Sequence, residues 1–421
     1  MRYLLEDMFP HCRSITGDGV RATIATLAQV VPFDVHEVPT GTQVFDWVVP
    51  DEWNVREAWI KNPAGEKVVD FAESNLHLIS YSVPVRQTMS LDELRPHLHS
   101  LPSAPDLVPY RKAYFDDSWG FCLRHRDLEA LTEGEYEVCV DASLEPGSLT
   151  YGEFVIPGEI EDEILISAHC CHPSLANDNL SGMAVATMLA ERAGRAPFRH
   201  TIRILIVPST IGSITWLAQN EDRLHKIRHG LVLACLGDAG HMTYKRSRHG
   251  NAEIDCAAEH VLRHSGAEHE IVDFEPFGYD ERQYCSPGID LHVGGLCRTP
   301  HGQYPEYHTS ADDLEYVSDA SLLDSIEQCE SILRVVDENG TYRNTAPKGE
   351  PRLGARGLQI AFGGSIDQAL VDQAVLWVLN LSDGTNSLLD IAERSRLPFE
   401  AVRAAADALV DICLLAPGER Y

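Results

Sequence analysis

The sequence contains no apolar run that approaches the roughly 20 residues a helix needs to cross a bilayer. Its first residues, MRYLLEDMFPHCR, lack the basic segment and long apolar stretch of a secretory signal. The 11 cysteines are odd in number and form no Cys-x-x-Cys pair. We therefore expect a cytoplasmic protein with no membrane partner, whose thiols are reduced and mostly buried, as at Cys235 and Cys413 inside apolar runs.

Basic residues are scarce: 34 lysines and arginines face 64 acidic residues, which gives a net charge of −30. Such a field repels phosphate backbones, so nucleic acid is not an expected partner. Hydrophobic residues make up 44% of the chain and charged residues 23%, a composition that supplies a sizeable core. The length of 421 residues predicts two or three domains.

The fold class follows from the pattern after residue 163, where short apolar strands alternate with helices. Strands are predicted at 164–166, 202–207 and 231–236, with helices at 182–192 and 251–264. Alternation of this kind predicts an α/β fold with a mixed, mainly parallel sheet flanked by helices. Ligands of such sheets gather in the loops that follow the carboxyl ends of the strands.

Two further regions differ in character. Residues 51–70 and 134–156 alternate around turn sequences and predict pairs of strands, so the region between them is expected to be mostly β. After a Pro/Gly/Arg-rich join at 346–357, three helices are predicted before a short apolar strand, and this order resembles a winged helix. The helices are expected at 366–379, 387–394 and 398–411.

The winged-helix-like segment does not have the charge of a DNA reader. Residues 351–421 contain six arginines, no lysine and nine acidic residues, a net charge of −3. DNA-reading winged helices normally present a basic face. We therefore interpret this segment as an assembly or docking unit, and we expect the chain to form a homo-oligomer.

The strongest candidate for chemistry is the segment Ser167 to Gly182, which directly follows a predicted strand and precedes a helix. It contains His169, His172 and Asp178, and imidazole nitrogens with a carboxylate oxygen are typical zinc ligands. The neighbouring Cys170 and Cys171 could be soft ligands, but we expect their thiols to point into the core. This segment predicts a divalent metal site.

Two later positions add candidates at the same edge of the sheet. Asp238 follows the predicted strand 231–236, where an acid is either a ligand or a turn residue. His308 lies in the segment 304–313, YPEYHTSADD, and Asp312 or Asp313 could orient its imidazole.

These motifs carry a resemblance. Ser-Ala-His, Ala-Asn-Asp-Asn-Leu-Ser-Gly and His-Thr-Ser-Ala-Asp, in that order, resemble the metal motifs of the zinc aminopeptidase superfamily. Nearly the whole chain resembles a bacterial family of aminopeptidase-like proteins. The phrases that carry this resemblance lie at 13–19 (RSITGDG), 81–84 (YSVP), 96–99 (PHLH), 119–121 (WGF), 144–152 (LEPGSLTYG), 171–174 (CHPS), 280–288 (DERQYCSPG) and 304–310 (YPEYHTS).

The resemblance implies three domains and a ligand set. A peptidase-like α/β domain would comprise 1–55 and 152–348, a mostly β domain would be inserted at 56–151, and the winged helix would span 356–421. Asp178 would bridge two metal ions. The further ligands would be His169 (the spacing also permits His172), Asp238 and His308. Cys171 replaces the aspartate that usually follows the first histidine.

One departure bears on catalysis. Superfamily enzymes carry acidic residues after the strand 202–207, and the close family usually reads Pro-Glu-Thr-Ile-Gly-Ser, but this chain has Ser209 in place of that glutamate. A hydroxyl cannot serve as a carboxylate base near neutral pH. Glu281 and Glu306 are the candidate replacements.

The function implied is metal-assisted hydrolysis of an amide bond in a small peptide or aminoacyl amide, with zinc (one or two ions) as cofactor. An acidic pocket would favour the substrate's ammonium group. The alternatives are a degenerate enzyme that binds metal or ligand without turnover and, less favoured, a DNA-binding regulator.

Overall fold

A computed structural model describes residues 1–358 and 366–418, the side chains of 366–368 excepted. The α-helices are α1 (Arg2–Met8), α2 (Asp18–Leu27), α3 (Leu91–Leu94), α4 (His125–Glu129), α5 (Gly182–Arg195), α6 (Ile211–Gln219), α7 (Glu253–His264), α8 (Glu281–Tyr284), α9 (Asp319–Glu338), α10 (Ile366–Leu381), α11 (Leu388–Ser395) and α12 (Phe399–Asp411). Short 3₁₀ turns occur at Asn75–His77, Arg95–His97, Glu221–Lys226 and Leu353–Arg356.

The strands are β1 (Asp34–Pro39), β2 (Gln43–Val44), β3 (Trp47–Val48), β4 (Glu52–Lys61), β5 (Lys67–Asp70), β6 (Val85–Ser90), β7 (Leu98–His99), β8 (Phe121–Cys122), β9 (Glu135–Glu145), β10 (Ser148–Ile156), β11 (Ile160–His169), β12 (His200–Val207), β13 (Ile227–Leu233), β14 (Met242–Lys245), β15 (His269–Val272), β16 (Val293–Cys297), β17 (Thr341–Asn344), β18 (Asp383–Ser387) and β19 (Leu415–Pro417).

The central sheet has eight strands in the order β1-β10-β12-β11-β13-β16-β14-β15. Its middle strands β12, β11, β13 and β16 run parallel. On one side β10 pairs antiparallel with β12 and β1 antiparallel with β10, and on the other β14 pairs antiparallel with β16 and parallel with β15. The middle strands form because their apolar residues are continuous, as in Ile164-Leu165-Ile166, and sheets buried on both faces select such runs. The predicted α/β fold with a mixed, mainly parallel sheet is confirmed.

A buried ion network crosses the sheet at three adjacent strands. Arg203 of β12 is 1% exposed and donates to Glu163 of β11 from Nε (2.6 Å) and Nη2 (2.9 Å). Its Nη1 donates to Glu153 of β10 at 2.7 Å, and the Trp216 indole donates to the same carboxylate at 2.9 Å. Arg203 thus pairs with two buried glutamates, and Arg223 pairs with Glu163 as well, at 3.1 Å.

A second sheet has the order β5-β4-β9-β6, with every pair antiparallel. The strands predicted within 51–70 are confirmed as β4 and β5, and the turn at 62–65 is held by Asn62 Oδ1, which accepts from the backbone N–H groups of Ala64 and Glu66. The strand pair predicted within 134–156 is confirmed as β9 and β10.

The described residues fall into two compact units, 1–250 with 268–327, and 251–267 with 328–421. In the second unit, β17, β18 and β19 form an antiparallel sheet beside α10, α11 and α12, which confirms the winged helix. Of the segment predicted for it, 356–421, residues 359–365 and 419–421 lie outside the described residues. The domain boundaries drawn from the sequence stay a prediction.

One expectation about the thiols is wrong. Cys235 is buried, but Cys413 is exposed, because it lies in the turn between α12 and β19 with a positive φ of 58° rather than in a packed strand. Among the described residues, no helix is both long and apolar enough to span a membrane.

Candidate metal centre

The centre lies where β11 ends. His169 is the last residue of β11, and the chain then passes through an irregular helical turn, Ala176–Ser181, before α5 begins at Gly182. The turn packs tightly against the sheet, since a Cβ at Gly182 would meet Asn179 Oδ1 at 2.4 Å and Leu233 O at 2.5 Å. Only glycine fits this contact. The turn presents Asp178 towards the histidines of the preceding loop.

Three imidazoles surround the Asp178 carboxylate. His169 Nε2 lies 2.8 Å from Oδ1, and His172 Nδ1 and His308 Nε2 each lie 3.0 Å from Oδ2. The ligand atoms of His169, His172 and Asp178 lie within 4.8 Å of one another. His308 comes from a segment 130 residues further along the chain. The structure therefore gathers four of the predicted ligands and includes both histidines between which the sequence left the choice open.

The other polar side chains of the turn hold its backbone in place. Asn177 donates to Asp238 (3.0 Å) and accepts from the Gly237 N–H (2.9 Å). Asn179 donates to the Leu233 carbonyl (2.9 Å) and accepts from the Cys235 N–H (3.1 Å). The Asp178 side chain contacts all three histidines, whereas Asn177 and Asn179 attach the turn to the chain at and after the end of β13, and Asn179 Nδ2 also lies 3.3 Å from His169 Nδ1.

Asp312 clamps the same turn from another segment. Its carboxylate accepts from the backbone N–H groups of Asn177 (2.5 Å) and Asp178 (3.0 Å), and its carbonyl accepts from Ala176 (2.9 Å). Burial and the nearby charge of Asp178 raise the pKa of Asp312 to about 8, although the backbone N–H donors lower it. Asp312 thus positions the Asp178 backbone, which differs from the expected role of orienting His308.

Aromatic rings and one arginine support the histidines. The Tyr279 ring stacks on His169 at 5.4 Å and the Tyr307 ring on His308 at 3.9 Å, as measured between ring centroids. Tyr110 lies between His172 and His308, with its ring centroid 5.1 and 5.0 Å from theirs. The Nε of Arg13, a fully buried residue, donates to the His172 carbonyl at 2.9 Å. These contacts fix the ring orientations before any ion binds.

The protonation states suit a cation. Burial lowers the pKa of His172 to about 4, so its imidazole is neutral at neutral pH and keeps a lone pair. Burial opposes ionisation of Asp178, but the attraction and hydrogen bonds of the surrounding histidines lower its pKa well below the ordinary value. A buried carboxylate beside the neutral His172 imidazole carries a negative charge that a bound cation would balance.

The donor set fits zinc. The side chains offer three imidazole nitrogens and two carboxylate oxygens, which are zinc's usual donors. His172 Nδ1 is buried and, despite its 3.0 Å distance from Asp178 Oδ2, has no hydrogen-bond partner among the described residues. A buried nitrogen of this kind is one that a metal ion would satisfy.

The structure does not bring Asp238 into this cluster. Strand pairing of β13 stops at Leu233, three residues before the predicted strand end, and Cys235 has a positive φ of 51°. Asp238 then accepts from the Thr299 hydroxyl and the Gly240 N–H (2.7 Å each) as well as from Asn177. Its oxygens are occupied by these donors, so it supports the turn.

Glu281 and Glu306 also lie outside the cluster. Glu281 is buried and paired with Lys245 at 2.8 Å, and Glu306 caps a local turn through its carbonyl, which accepts from the Thr309 hydroxyl. The thiol of Cys170 is buried, and that of Cys171 contacts the Ser209 carbonyl (3.6 Å). None of these four side chains contacts Asp178 or a histidine of the cluster in the described part of the chain.

A cavity of about 480 Å³ opens onto the centre. His169, His172 and His308 line it, and so does Ser209. Its charged lining residues are Lys112, Arg282 and Asp116, and its mouth carries the exposed aromatic side chains Trp47, Phe115 and Phe277. The lining thus carries two cationic groups and one carboxylate. It does not form the acidic pocket for a substrate ammonium group that the sequence led us to expect.

Sequence reasoning missed Asp280. Its buried carboxylate accepts from the Ser209 hydroxyl at 3.0 Å, across 71 residues of chain. The phrase DERQYCSPG contains this residue. We looked for ligands in the loops that follow strands, and Asp280 lies instead at the start of a short helix.

Asp312→Ala is expected to weaken zinc binding by about 10- to 100-fold, because the groups that orient metal ligands contribute effects of that size. It should also lower the free energy of unfolding by about 1–3 kcal/mol, since two buried N–H groups lose their acceptor. Titration calorimetry with zinc and urea unfolding measure the two effects. Asp313→Ala is the matched control: Asp313 accepts from Glu315 and Tyr316 only, so zinc affinity should change little. Equal losses in both variants would contradict the clamp.

Comparisons with known proteins agree with this architecture. The model of a domain of unknown function, DUF4910, matches residues 2–339, and that of a winged helix-turn-helix matches residues 340–417. A protein of Clostridium acetobutylicum is 50% identical over 412 residues, 98% of this chain and 95% of its own length. It is provisionally named a polysaccharide biosynthesis protein with an aminopeptidase-like domain.

Two solved structures are also similar. A crystal structure from Clostridium acetobutylicum, provisionally assigned as a peptidase, has a TM-score of 0.94 and 49% identity over 99% of this chain and 95% of that chain. A zinc aminopeptidase from Bacillus subtilis has a TM-score of 0.59 and 13% identity over 80% of this chain and 94% of its own. The second likeness concerns the fold alone.

Proposed function

Because the chain belongs to the DUF4910 family and has the fold of zinc aminopeptidases, we propose that it is a metal-dependent hydrolase of amide bonds. It would release an N-terminal amino acid or aminoacyl group from a small peptide or aminoacyl amide. The observation that carries the proposal is the group of three imidazoles around the Asp178 carboxylate, at the floor of a cavity large enough for such a substrate.

His169, His172, Asp178 and His308 would hold the metal, one ion or two. The two Asp178 oxygens face different histidines, Oδ1 towards His169 and Oδ2 towards His172 and His308, as a bridging carboxylate would. A bound zinc ion supplies Lewis-acid chemistry, which polarises a carbonyl and makes water more acidic. Asp238 has a positioning role in this proposal, through Asn177.

The protein's own residues exclude water and orient the substrate. Tyr279 and Tyr307 cover His169 and His308, so one face of each imidazole is closed to solvent. The exposed rings of Trp47 and Phe115, with centroids 5.2 Å apart and planes tilted by 53°, form an apolar surface at the mouth. A substrate side chain or sugar ring can pack there while its amide reaches the centre.

The charged lining favours a substrate that carries an anionic group. Arg282 has no ion-pair partner among the described residues, and its buried Nε has no hydrogen-bond acceptor there. Lys112 contacts the Tyr114 ring from 4.9 Å and likewise has no ion-pair partner in the described part of the chain. A carboxylate or phosphate on the substrate would satisfy both cations, which is notable in a chain with a net charge of −30.

The direct test is metal content combined with a substrate panel. Protein purified without chelator is expected to contain zinc, cobalt or manganese and to hydrolyse members of a panel of aminoacyl amides and dipeptides. Amides with an additional carboxylate should be preferred over neutral ones of the same size. Chelation should remove the hydrolysis and added zinc should restore it, since the metal ligands come from a site that is already formed.

Two results would refute the proposal: purified protein without any of these metals, or hydrolysis that survives complete chelation. Metal binding with no hydrolysis across the whole panel would instead support the second candidate, a degenerate enzyme. The observation that favours that candidate is Ser209, which lines the cavity where superfamily enzymes carry a carboxylate. We propose that the winged-helix unit docks to a second copy of this chain and does not bind DNA, because its net charge is acidic.

A further inference from the structure

Ser209 is not an isolated hydroxyl. It lines the cavity together with His169, His172 and His308, and its Oγ donates to Asp280 Oδ1 at 3.0 Å. The Ser213 hydroxyl donates to the same oxygen at 3.1 Å, but Ser213 is fully buried and does not line the cavity. The Ser209 hydroxyl therefore connects Asp280 with the cavity, whereas the Ser213 hydroxyl only holds the Asp280 carboxylate in place.

Asp280 has the properties of a base rather than of a structural acid. It is 1% exposed and has no ion-pair partner in the described part of the chain, and its Oδ2 is buried without a hydrogen-bond partner there. A carboxylate in this state costs stability and is rarely kept without a function. Burial raises the pKa of Asp280 to about 6, although His169 and the two serines lower it. The group is ionised at pH 7 yet binds a proton more readily than an ordinary aspartate.

The geometry points to a two-residue proton relay, Ser209 and Asp280, that serves as the general base of this hydrolase in place of a glutamate at position 209. The inference rests on the proposed function. Ser209 is the residue that faces the reacting groups, and Asp280 acts through it.

The relay balances in two steps. When a water oxygen bonds to the substrate carbonyl carbon, one water proton passes to Ser209 Oγ, and the Ser209 hydroxyl proton passes to Asp280 Oδ1. When the carbon–nitrogen bond breaks, Asp280 returns its proton to Ser209 Oγ, and Ser209 delivers a proton to the leaving nitrogen. Serine and aspartate end the cycle as they began it, and the water has been divided between the acid and the amine.

The first test does not depend on activity. Infrared difference spectra across a pH titration should show the band of a protonated carboxyl group that D280N lacks. In S209A the same band should titrate at higher pH, because the carboxylate has lost a donor that favours its charged form. The other ionisable groups that interact with Asp280 are His169, Cys170, Cys171, Glu281 and Tyr284. If the Asp280 band titrates at the same pH in S209A as in the wild type, the relay is wrong.

The second test uses the metal-loaded protein and its best panel substrate. S209A and D280N should each lower kcat by about 100-fold or more, as expected for loss of a general base, with little change in KM. The double variant should be no slower than either single variant, because the two residues act as a unit. Zinc affinity from calorimetry should be unchanged in all three, which separates a proton-transfer defect from loss of the metal.

Two controls separate the relay from simpler explanations. S213A removes a hydrogen bond to the same Asp280 oxygen but no cavity-facing hydroxyl, so its kcat should fall by about tenfold or less. D116N tests the rival assignment, in which the carboxylate that lines the cavity directly is the general base. The relay is wrong if S213A is as slow as S209A, or if D116N abolishes turnover while D280N retains it.

The failures are distinguishable. If wild-type protein, S209A and D280N all hydrolyse the panel equally well, the relay is wrong and the proposed hydrolase function stands. If wild-type protein binds zinc but hydrolyses no member of the panel, both the proposed function and the catalytic role of the relay are wrong.

Discussion

Asp178→Asn is expected to lower zinc affinity by more than about 100-fold, the upper limit for groups that only orient metal ligands. Hydrolysis should fall to the uncatalysed background. The physical reason is that one carboxylate faces all three imidazoles, through Oδ1 at 2.8 Å and Oδ2 at 3.0 Å. Asparagine keeps the shape but loses the charge and turns one acceptor into a donor. Titration calorimetry with zinc, followed by assay of the best substrate, measures both effects.

Asp238→Asn is the matched control, because the sequence nominated both aspartates as ligands. In the structure Asp238 accepts from Thr299, Gly240 and Asn177, and the amide can keep the first two bonds. Zinc affinity should therefore fall by about tenfold or less. An Asp238 variant that loses zinc as completely as the Asp178 variant would show that Asp238 is a ligand and that our assignment of its role is wrong.

Arg203→Met is expected to cause the largest loss of stability, about 3–5 kcal/mol in the free energy of unfolding. Methionine fills similar space but leaves the buried Glu153 without its arginine, and the buried Glu163 keeps the partly exposed Arg223 as its remaining cation. Urea unfolding followed by tryptophan fluorescence measures the change, and Trp216 reports on it directly because its indole donates to Glu153.

The loss should depend on pH. Burial opposes ionisation of Glu163, but the hydrogen bonds and charge of Arg203 lower its pKa below the ordinary value. A depressed carboxyl pKa contributes stability above the ordinary pKa that is lost as the pH falls through the depressed value. Without Arg203, the partly exposed Arg223 is the cation that remains beside Glu163, and burial then raises the pKa of this carboxyl relative to the wild type. The variant should therefore be most destabilised near pH 7 and less so near pH 4–5.

The exposed pair Arg56–Asp141 provides the control. Arg56→Met removes an arginine–aspartate contact of similar chemistry on the surface of β4 and β9, where solvent screens the charges. Its effect on the free energy of unfolding should be small beside that of Arg203→Met. Similar losses for Arg56→Met and Arg203→Met would mean that burial does not set the strength of the network.

The features that the sequence predicted well are local in the chain. The parallel strands were visible because strands buried on both faces need continuous apolar runs, as in Ile164 to Ile166. The segment from Ser167 to Gly182 was visible as a metal loop because two histidines and an aspartate lie within ten residues after a strand. The winged helix followed from three helices with recognisable starts and ends.

Two of the acids that the sequence nominated lie outside the cluster of histidines around Asp178. Asp238 lies just beyond a strand end, but β13 stops pairing at Leu233 and the chain turns before the aspartate is reached. Glu281 is three residues from the cavity-lining Gly278, yet its carboxylate pairs with Lys245. Spacing along the chain does not determine the direction of a side chain outside regular structure.

The sequence by itself determined the fold class, the candidate metal loop and the absence of a carboxylate at position 209. Each of these depends on residues that are neighbours in the chain, where the periods of strands and helices fix geometry. Only the tertiary structure decided that His172 and His169 both face Asp178, that His308 joins them from 130 residues away, and that Asp280 lies behind Ser209. Such contacts are set by the packing of distant segments, and the burial that gives Asp280 its raised pKa exists only once those segments have come together.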